Sequence, residues 1–220
     1  MNPLRGILPE SEILSLVDKL QQEGALVNWK NNPDGTRSPY EINVTYLDAL
    51  SLRDSSDDER IARFILAHAV LLSFPGVPAV YIQSILGSRN DYEGVERLGY
   101  NRAINRKKYT AGQVDRELNN NKSIRYQIYS RLSELIAIRR GERAFHPDSQ
   151  AIFDAIGEHI LKIVRVAENG ERMTALFNFS NKMQTVYGQT LFGRELLSGQ
   201  DISGTELTLN PWQVMWIKEN

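Results

Sequence analysis

Hydrophobic residues change their spacing once along this 220-residue chain, near residue 145. Upstream they recur three and four apart, the spacing that lines one face of a helix. Ile13, Leu16, Val17 and Leu20 follow it, as do Ile124, Ile128, Leu132, Leu135 and Ile136. Between them lie Ile61, Phe64, Ile65, Leu71 and Leu72, with His68 on the same face. Downstream the period shortens to two. Met173, Ala175, Phe177 and Phe179 alternate with Thr174, Leu176 and Asn178, as on a half-buried strand. We read residues 1–144 as α/β and residues 145–220 as a small antiparallel β domain.

Local punctuation fills in this division. Pro9 and Glu10 suit a helix start and Gly24 its end. Ser56-Asp57-Asp58-Glu59 reads as a capping box opening the next helix. Residues 28–39, dense in turn formers at Asn31-Asn32-Pro33-Asp34-Gly35, read as a loop, and Met1–Gly6 as another. The prolines and glycine of 74–78 break the second helix, and Ala79-Val80-Tyr81-Ile82 reads as a short buried strand. A helix, a tight turn and a buried strand make half of a parallel α/β unit. Residues 83–109 read as a long polar connection. Beyond 145, Ile160–Val166 and Met173–Phe179 are strand-like around Asn169-Gly170, a hairpin signal, and Leu207, Leu209, Val214, Trp216 and Ile217 add more strand.

Several classes of partner are disfavoured. The formal net charge is −1 and both signs are mixed along the chain, so no basic stripe offers itself to nucleic acid. The longest apolar stretch, 64–80, is interrupted by His68, Ser73 and two prolines, so no membrane span is expected. The N-terminus lacks an apolar signal region. With no cysteine there is no disulfide and no thiolate metal site, which fits a reducing cytoplasm. His146 and His159 have no ligand spacing with nearby acids, and no metal site is expected.

Three segments carry a resemblance: Pro39-Tyr40-Glu41-Ile42-Asn43-Val44-Thr45-Tyr46-Leu47-Asp48-Ala49-Leu50, Phe74-Pro75-Gly76-Val77-Pro78-Ala79-Val80-Tyr81, and Leu98-Gly99-Tyr100-Asn101-Arg102-Ala103-Ile104-Asn105-Arg106. In order and spacing they resemble the sucrose phosphorylase branch of glycoside hydrolase family 13. Arg5-Gly6-Ile7-Leu8-Pro9 resembles the stretch after that family's last conserved barrel motif. The hydrolases of the superfamily usually continue the strand after Pro-Gly into Tyr-Gly-Gln-Glu. Here Gln83-Ser84-Ile85-Leu86-Gly87 follows, as in the phosphorylases.

The resemblance implies a (β/α)8 barrel followed by a β domain. A whole barrel takes roughly 250 residues, so the 144 residues before the β domain correspond to the C-terminal portion of a TIM barrel. The family works by retaining double displacement, with a nucleophilic carboxylate, an acid/base carboxylate and a third acid. The resemblance places all three upstream of Met1, so no catalytic residue is assigned here; Asp48, Asp91 and Glu93 match none of those motifs. It implies a sugar substrate and inorganic phosphate as partners, the missing N-terminal barrel part as another, and no metal or organic cofactor.

Arg102 matches an arginine at the closed end of the family's glucose pocket; pattern alone reads it as a solvated loop arginine. Ser38 and Glu41 stand where sucrose phosphorylases carry an aspartate and a glutamine on the acceptor loop. Pro-Tyr-Glu-x-Asn is more similar to the glucosylglycerate phosphorylases of that branch. Ser38, Tyr40, Glu41 and Arg102 are therefore the expected substrate-binding residues, with structural support of the loop an equal reading for Tyr40 and Asn43. His68, Trp212 and Trp216 read as packing residues, and Arg139, Arg140 and Arg143 as a solvated helix end. Two alternative functions remain: a non-catalytic module that binds a sugar or complements a subunit, and an α-amylase-type hydrolase fragment.

Overall fold

The computed structural model of the chain describes residues 4–220, and at 189–191 the backbone only. The loop reading of residues 1–3 lies outside the described residues. In chain order the elements are α1 (Glu10–Gln22), β1 (Leu26–Asn31), β2 (Arg37–Asn43), α2 (Tyr46–Ala49), α3 (Asp57–Ser73), α4 (Ile82–Ile85) and α5 (Tyr92–Leu98). A 3-10 turn (Asn101–Asn105), α6 (Ala111–Leu118), α7 (Ile124–Gly141) and a second 3-10 turn (Arg143–Phe145) follow. Six strands complete the chain: β3 (Gln150–Ile156), β4 (Ile160–Val166), β5 (Arg172–Asn178), β6 (Gln184–Glu195), β7 (Asp201–Leu209) and β8 (Val214–Glu219). The chain divides into two units, one made of residues up to Arg60 with Tyr81–Gln127, the other of Ile61–Val80 with Ile128–Asn220.

The first unit is a helical frame around one hairpin. α1 buries Ile13 and Val17, and Gly24 beyond its end takes a φ of 104°. β1 and β2 pair antiparallel around a tight turn. Asp34 Oδ1 accepts from Thr36 N at 3.0 Å and Thr36 Oγ1 at 2.6 Å, which closes that turn, and Gly35 supplies its positive φ of 81°. The 28–39 loop expected from composition is thus mostly strand, with only residues 32–36 turning. The turn formers had hidden the flanking pair. Segment 83–109 is likewise ordered by short helices: Asp91 caps α5 through Gly94 N, and Gly99 ends it at a φ of 72°.

The second unit is a six-stranded antiparallel sheet, in the order β3-β4-β5-β8-β6-β7. One face closes on Ile160, Leu176, Val186, Leu209, Met215 and Ile217. On the other, Trp216 is fully buried, stacks on Phe145 with ring centroids 4.7 Å apart, and donates Nε1–H to Ser73 Oγ at 3.0 Å. β5 was expected to be half-buried, but Met173–Asn178 are all buried. It is a central strand, paired on its two edges with β4 and β8, and the residues of both its faces are buried.

Two further expectations change. Ala79–Ile82 form no strand, and Tyr81 and Ile82 are each 56% exposed. A lone extended segment has no ladder partner among the described residues, and pairing is what makes a strand. The parallel strands of a barrel are therefore not seen among the described residues. Arg139, expected to be solvated, is buried and donates to the carbonyls of Leu72 and Gly76. Those carbonyls end α3 and open the turn after it, where a cation satisfies orphan acceptors.

His68 sits inside α3, 2% exposed, with Nδ1 2.9 Å from Phe64 O. Burial pulls its pKa below the ordinary 6.5, and the Phe64 carbonyl opposes that only in part. Below pH 6.5 the unfolded chain binds a proton that the folded chain refuses, so this contribution is intact above 6.5 and is lost as pH falls. Stability should decline on going from pH 7.5 to 5 by up to about 1.4 kcal/mol per pH unit from this residue. His68→Gln should remove that slope in chemical denaturation, and equal slopes in the two proteins would refute the assignment.

Candidate substrate cleft

The hairpin sets the site. Register pairs Asn28 with Glu41 and then Trp29 with Pro39, so Tyr40 is the extra residue of a β-bulge. Residues directly opposite on a pair of strands project to the same face, close enough for side chains to meet. Asn28 Nδ2 donates to Glu41 Oε2 at 3.0 Å. The 3-10 turn 101–105 completes the cluster. Asn101 Nδ2 donates to Asn28 Oδ1 at 2.7 Å, and Arg102 Nε donates to Glu41 Oε1 and Oε2 at 2.9 and 3.0 Å. These residues, with Tyr40, Tyr100 and Gly99, line an open cleft of about 350 Å³.

The cleft therefore brings together three of the four expected substrate-binding residues: Tyr40, Glu41 and Arg102. Ser38 does not line it; its hydroxyl donates to Asn32 Oδ1 at 3.1 Å in the hairpin turn. Asn43 is buried and donates to Leu26 O at 3.2 Å, the loop-supporting role. Asn28 and Asn101 were not singled out in the sequence. Reading 26–43 as a regular hairpin would have set Asn28 opposite Tyr40; the bulge moves Glu41 into that place. The Arg102 guanidinium holds the Glu41 carboxyl below the usual carboxylate range, and Glu41 in turn raises Arg102. The pair stays ionised at neutral pH.

Outside the cleft, one acid of the same unit is fully engaged. Asp48 is buried and accepts from Asn90 N at 2.7 Å, Arg89 Nε at 2.5 Å, Arg60 Nη1 at 3.4 Å and Thr45 Oγ1 at 3.2 Å. Asn90 Oδ1 takes Thr45 N at 2.8 Å. This lattice ties residues 45–48 to 89–90, and Asp91 N bonds Ile104 O at 2.8 Å to carry the order into the 101–105 turn. Asp48 and Asp91 are structural acids: one is saturated, the other caps α5. Among the described residues no group of three or more His, Asp or Glu could hold a metal ion, and no helix is long and apolar enough to cross a membrane.

No family model matches the chain. It is 65% identical over 218 residues to glucosylglycerate phosphorylase of Escherichia coli (strain K12), covering 99% of this chain and 39% of that protein. Glucosylglycerate phosphorylase of Allomeiothermus silvanus is 37% identical over 218 residues, 98% of this chain and 38% of the relative. Sucrose phosphorylase of Agrobacterium vitis is 34% identical over 122 residues, 56% of this chain and 22% of the relative. Among solved structures, sucrose 6F-phosphate phosphorylase from Thermoanaerobacter thermosaccharolyticum shares the fold, with a TM-score of 0.67 at 21% identity over 94% of this chain and 38% of that one. The likeness is thus to part of a sugar phosphorylase. Within that class, these two glucosylglycerate phosphorylases match the chain almost end to end, and the A. vitis sucrose phosphorylase matches about half of it. The chain spans about two fifths of the length of the glucosylglycerate phosphorylases it matches.

Proposed function

We propose that this chain is the C-terminal part of an α-glucosyl phosphorylase that splits glucosylglycerate with phosphate to give glucose 1-phosphate and glycerate. Residues 1–144 belong to the end of its (β/α)8 barrel and residues 145–220 to its β domain. The observation that carries this reading is the Arg102–Glu41–Asn28 cluster beside Tyr40 and Tyr100, in a chain 65% identical to a glucosylglycerate phosphorylase. An aromatic-walled cleft with a few fixed polar groups suits a small hydroxylated ligand.

The chemistry needs two carboxylates about 5–5.5 Å apart flanking the glycosidic bond, and the buried acids Asp48 and Asp91 are committed to structural hydrogen bonds. The reacting carboxylates therefore lie in the remainder of the protein, which also supplies strand neighbours for Ala79–Ile82. The cysteine-free composition suits a reducing compartment, and we place the protein in the cytoplasm. The non-catalytic reading differs in one respect: it expects binding without turnover even when the remainder is supplied.

A direct test is to replace the matched stretch of the E. coli enzyme with this chain and to vary Arg102 in that chimera. Arg102→Lys keeps the charge but loses the planar fork. It should lower kcat/KM roughly ten- to hundred-fold, the loss of a charge-assisted hydrogen bond expressed in the transition state. Melting should be nearly unchanged, because Arg102 is half-exposed. Arg106→Lys, outside the cleft, is the control. Equal kinetic damage at the two positions, or none at Arg102, would remove Arg102 from the site.

A further inference from the structure

We propose that Glu41 and Asn28 are a positioning pair, which does not itself contact substrate but aims the terminal nitrogens of Arg102 into the cleft. This deepens the sugar-cleft reading and rests on it. Arginine usually meets a carboxylate with two parallel N–H···O bonds. Here both Glu41 oxygens converge on the single Nε–H of Arg102, at 2.9 and 3.0 Å. Nη1 and Nη2 make no hydrogen bond among the described residues. Four N–H donors are thereby left over in one plane, on a side chain that lines the cleft.

The carboxylate that holds Nε is itself held. Asn28 donates to Glu41 Oε2 and accepts from Asn101, the residue before Arg102. Asn28 thus ties together the side chain that grips Arg102 and the backbone turn that carries it. The Tyr40 bulge beside this pair fixes which face of β2 Glu41 occupies. With Arg102 on both its oxygens and Asn28 on one, Glu41 is engaged within the protein. The unspent Arg102 donors call for acceptors, and on the sugar-cleft reading we take these to be a sugar hydroxyl or the carboxylate of a hydroxy acid.

The test uses the 220-residue chain with nitrogen-15 arginine, the Arg102 Nε–Hε signal being assigned by its loss in Arg102→Lys. In the wild type Hε should exchange slowly with water. Glu41→Ala should speed exchange at least about tenfold, Asn28→Ala should do so by less, and Glu41→Gln, which keeps one acceptor oxygen, should retain part of the protection. Backbone amide spectra report whether each variant is folded, and Glu41→Gln carries the test if Glu41→Ala does not fold. Glucose and glycerate are then titrated separately. One of them should shift the Arg102 Cζ and Nη signals of the wild type, with at least tenfold weaker binding in Glu41→Ala; which one responds distinguishes hydroxyl from carboxylate. Unchanged Hε exchange in folded Glu41→Ala or Glu41→Gln would overturn the pairing whatever the titrations show. Lost protection with no response to either probe would keep the pairing but overturn the sugar-site reading and the positioning role with it.

Discussion

Replacing Arg165 by methionine is expected to abolish cooperative unfolding of the unit built on the six-stranded sheet. Arg165 lies on β4, fully buried, and it has no carboxylate partner among the described residues. Its guanidinium donates to four backbone carbonyls: Nε to Gln150, Nη1 to Ser73, and Nη2 to His146 and Ser149, at 2.7–3.3 Å. These come from the end of α3, the turn before β3 and the first residue of β3. One side chain therefore ties the end of α3 to the segment that leads into β3. Burial lowers its pKa, and Arg139 nearby lowers it further, yet a guanidinium remains charged at any ordinary pH. The charge is held by carbonyl dipoles.

Removing it strands two buried acceptors, Ser73 O and Ser149 O, each at about 1–3 kcal/mol, and two part-buried ones at less. Even without full additivity the loss approaches the lower end of the whole stability of a domain, about 5–15 kcal/mol. Arg165→Lys supplies one nitrogen where three are used, so it should also be severe. Denaturant unfolding followed by tryptophan fluorescence in a Trp29→Phe background, which leaves Trp212 and Trp216 of this unit, checks this. An Arg165→Met protein melting within about 4 °C of the wild type, a shift worth roughly 1 kcal/mol or less, would show that these contacts matter little.

No feature of the sequence marks Arg165 for this role. It sits in a run, Ile163-Val164-Arg165-Val166, whose alternation reads as strand, and a charged residue in such a run reads as its solvent face. Only the fold shows that this face is covered. Arg139 misled in the same way, since its neighbours Arg140 and Arg143 are solvated and the group looks uniform. Periodicity did better where one side decides everything. α1, α3, α7, β4 and β8 fall close to where apolar spacing puts them, because each buries a defined stripe. It did worse at β1 and β2, where Asn, Lys and Glu dilute the pattern and the hairpin is held by its turn and by Asn28–Glu41.

The cleft was half legible for a related reason. Tyr40, Glu41 and Arg102 stand in motifs that resemble the sucrose phosphorylase branch, so the sequence pointed to them directly. Asn28 lies in no such motif and joins them through strand register, a property of two segments at once. Ser38 follows the reverse course: its motif position suggested acceptor contact, but its hydroxyl is engaged inside the hairpin turn. The expected strand at Ala79–Ile82 has strand composition but no ladder partner among the described residues.

The second large effect concerns gain and loss of turnover in one experiment. The cleft supplies oriented donors but no acid pair, and a retaining displacement cannot proceed without both acids. The chain alone should therefore form no glucose 1-phosphate from glucosylglycerate and phosphate. Placed in the E. coli glucosylglycerate phosphorylase in exchange for the 218 residues it matches, it should restore turnover by many orders of magnitude. At 65% identity over the matched stretch, most packing substitutions should be tolerated, since cores accept changes that keep volume and pattern. Phosphate-dependent release of glucose 1-phosphate from glucosylglycerate, measured for the chimera and for the isolated chain side by side, is the decisive measurement. The account predicts release by the chimera within about tenfold of the parent enzyme and none by the chain alone. A folded, soluble chimera that leaves glucosylglycerate intact, or an isolated chain that turns it over, would contradict it.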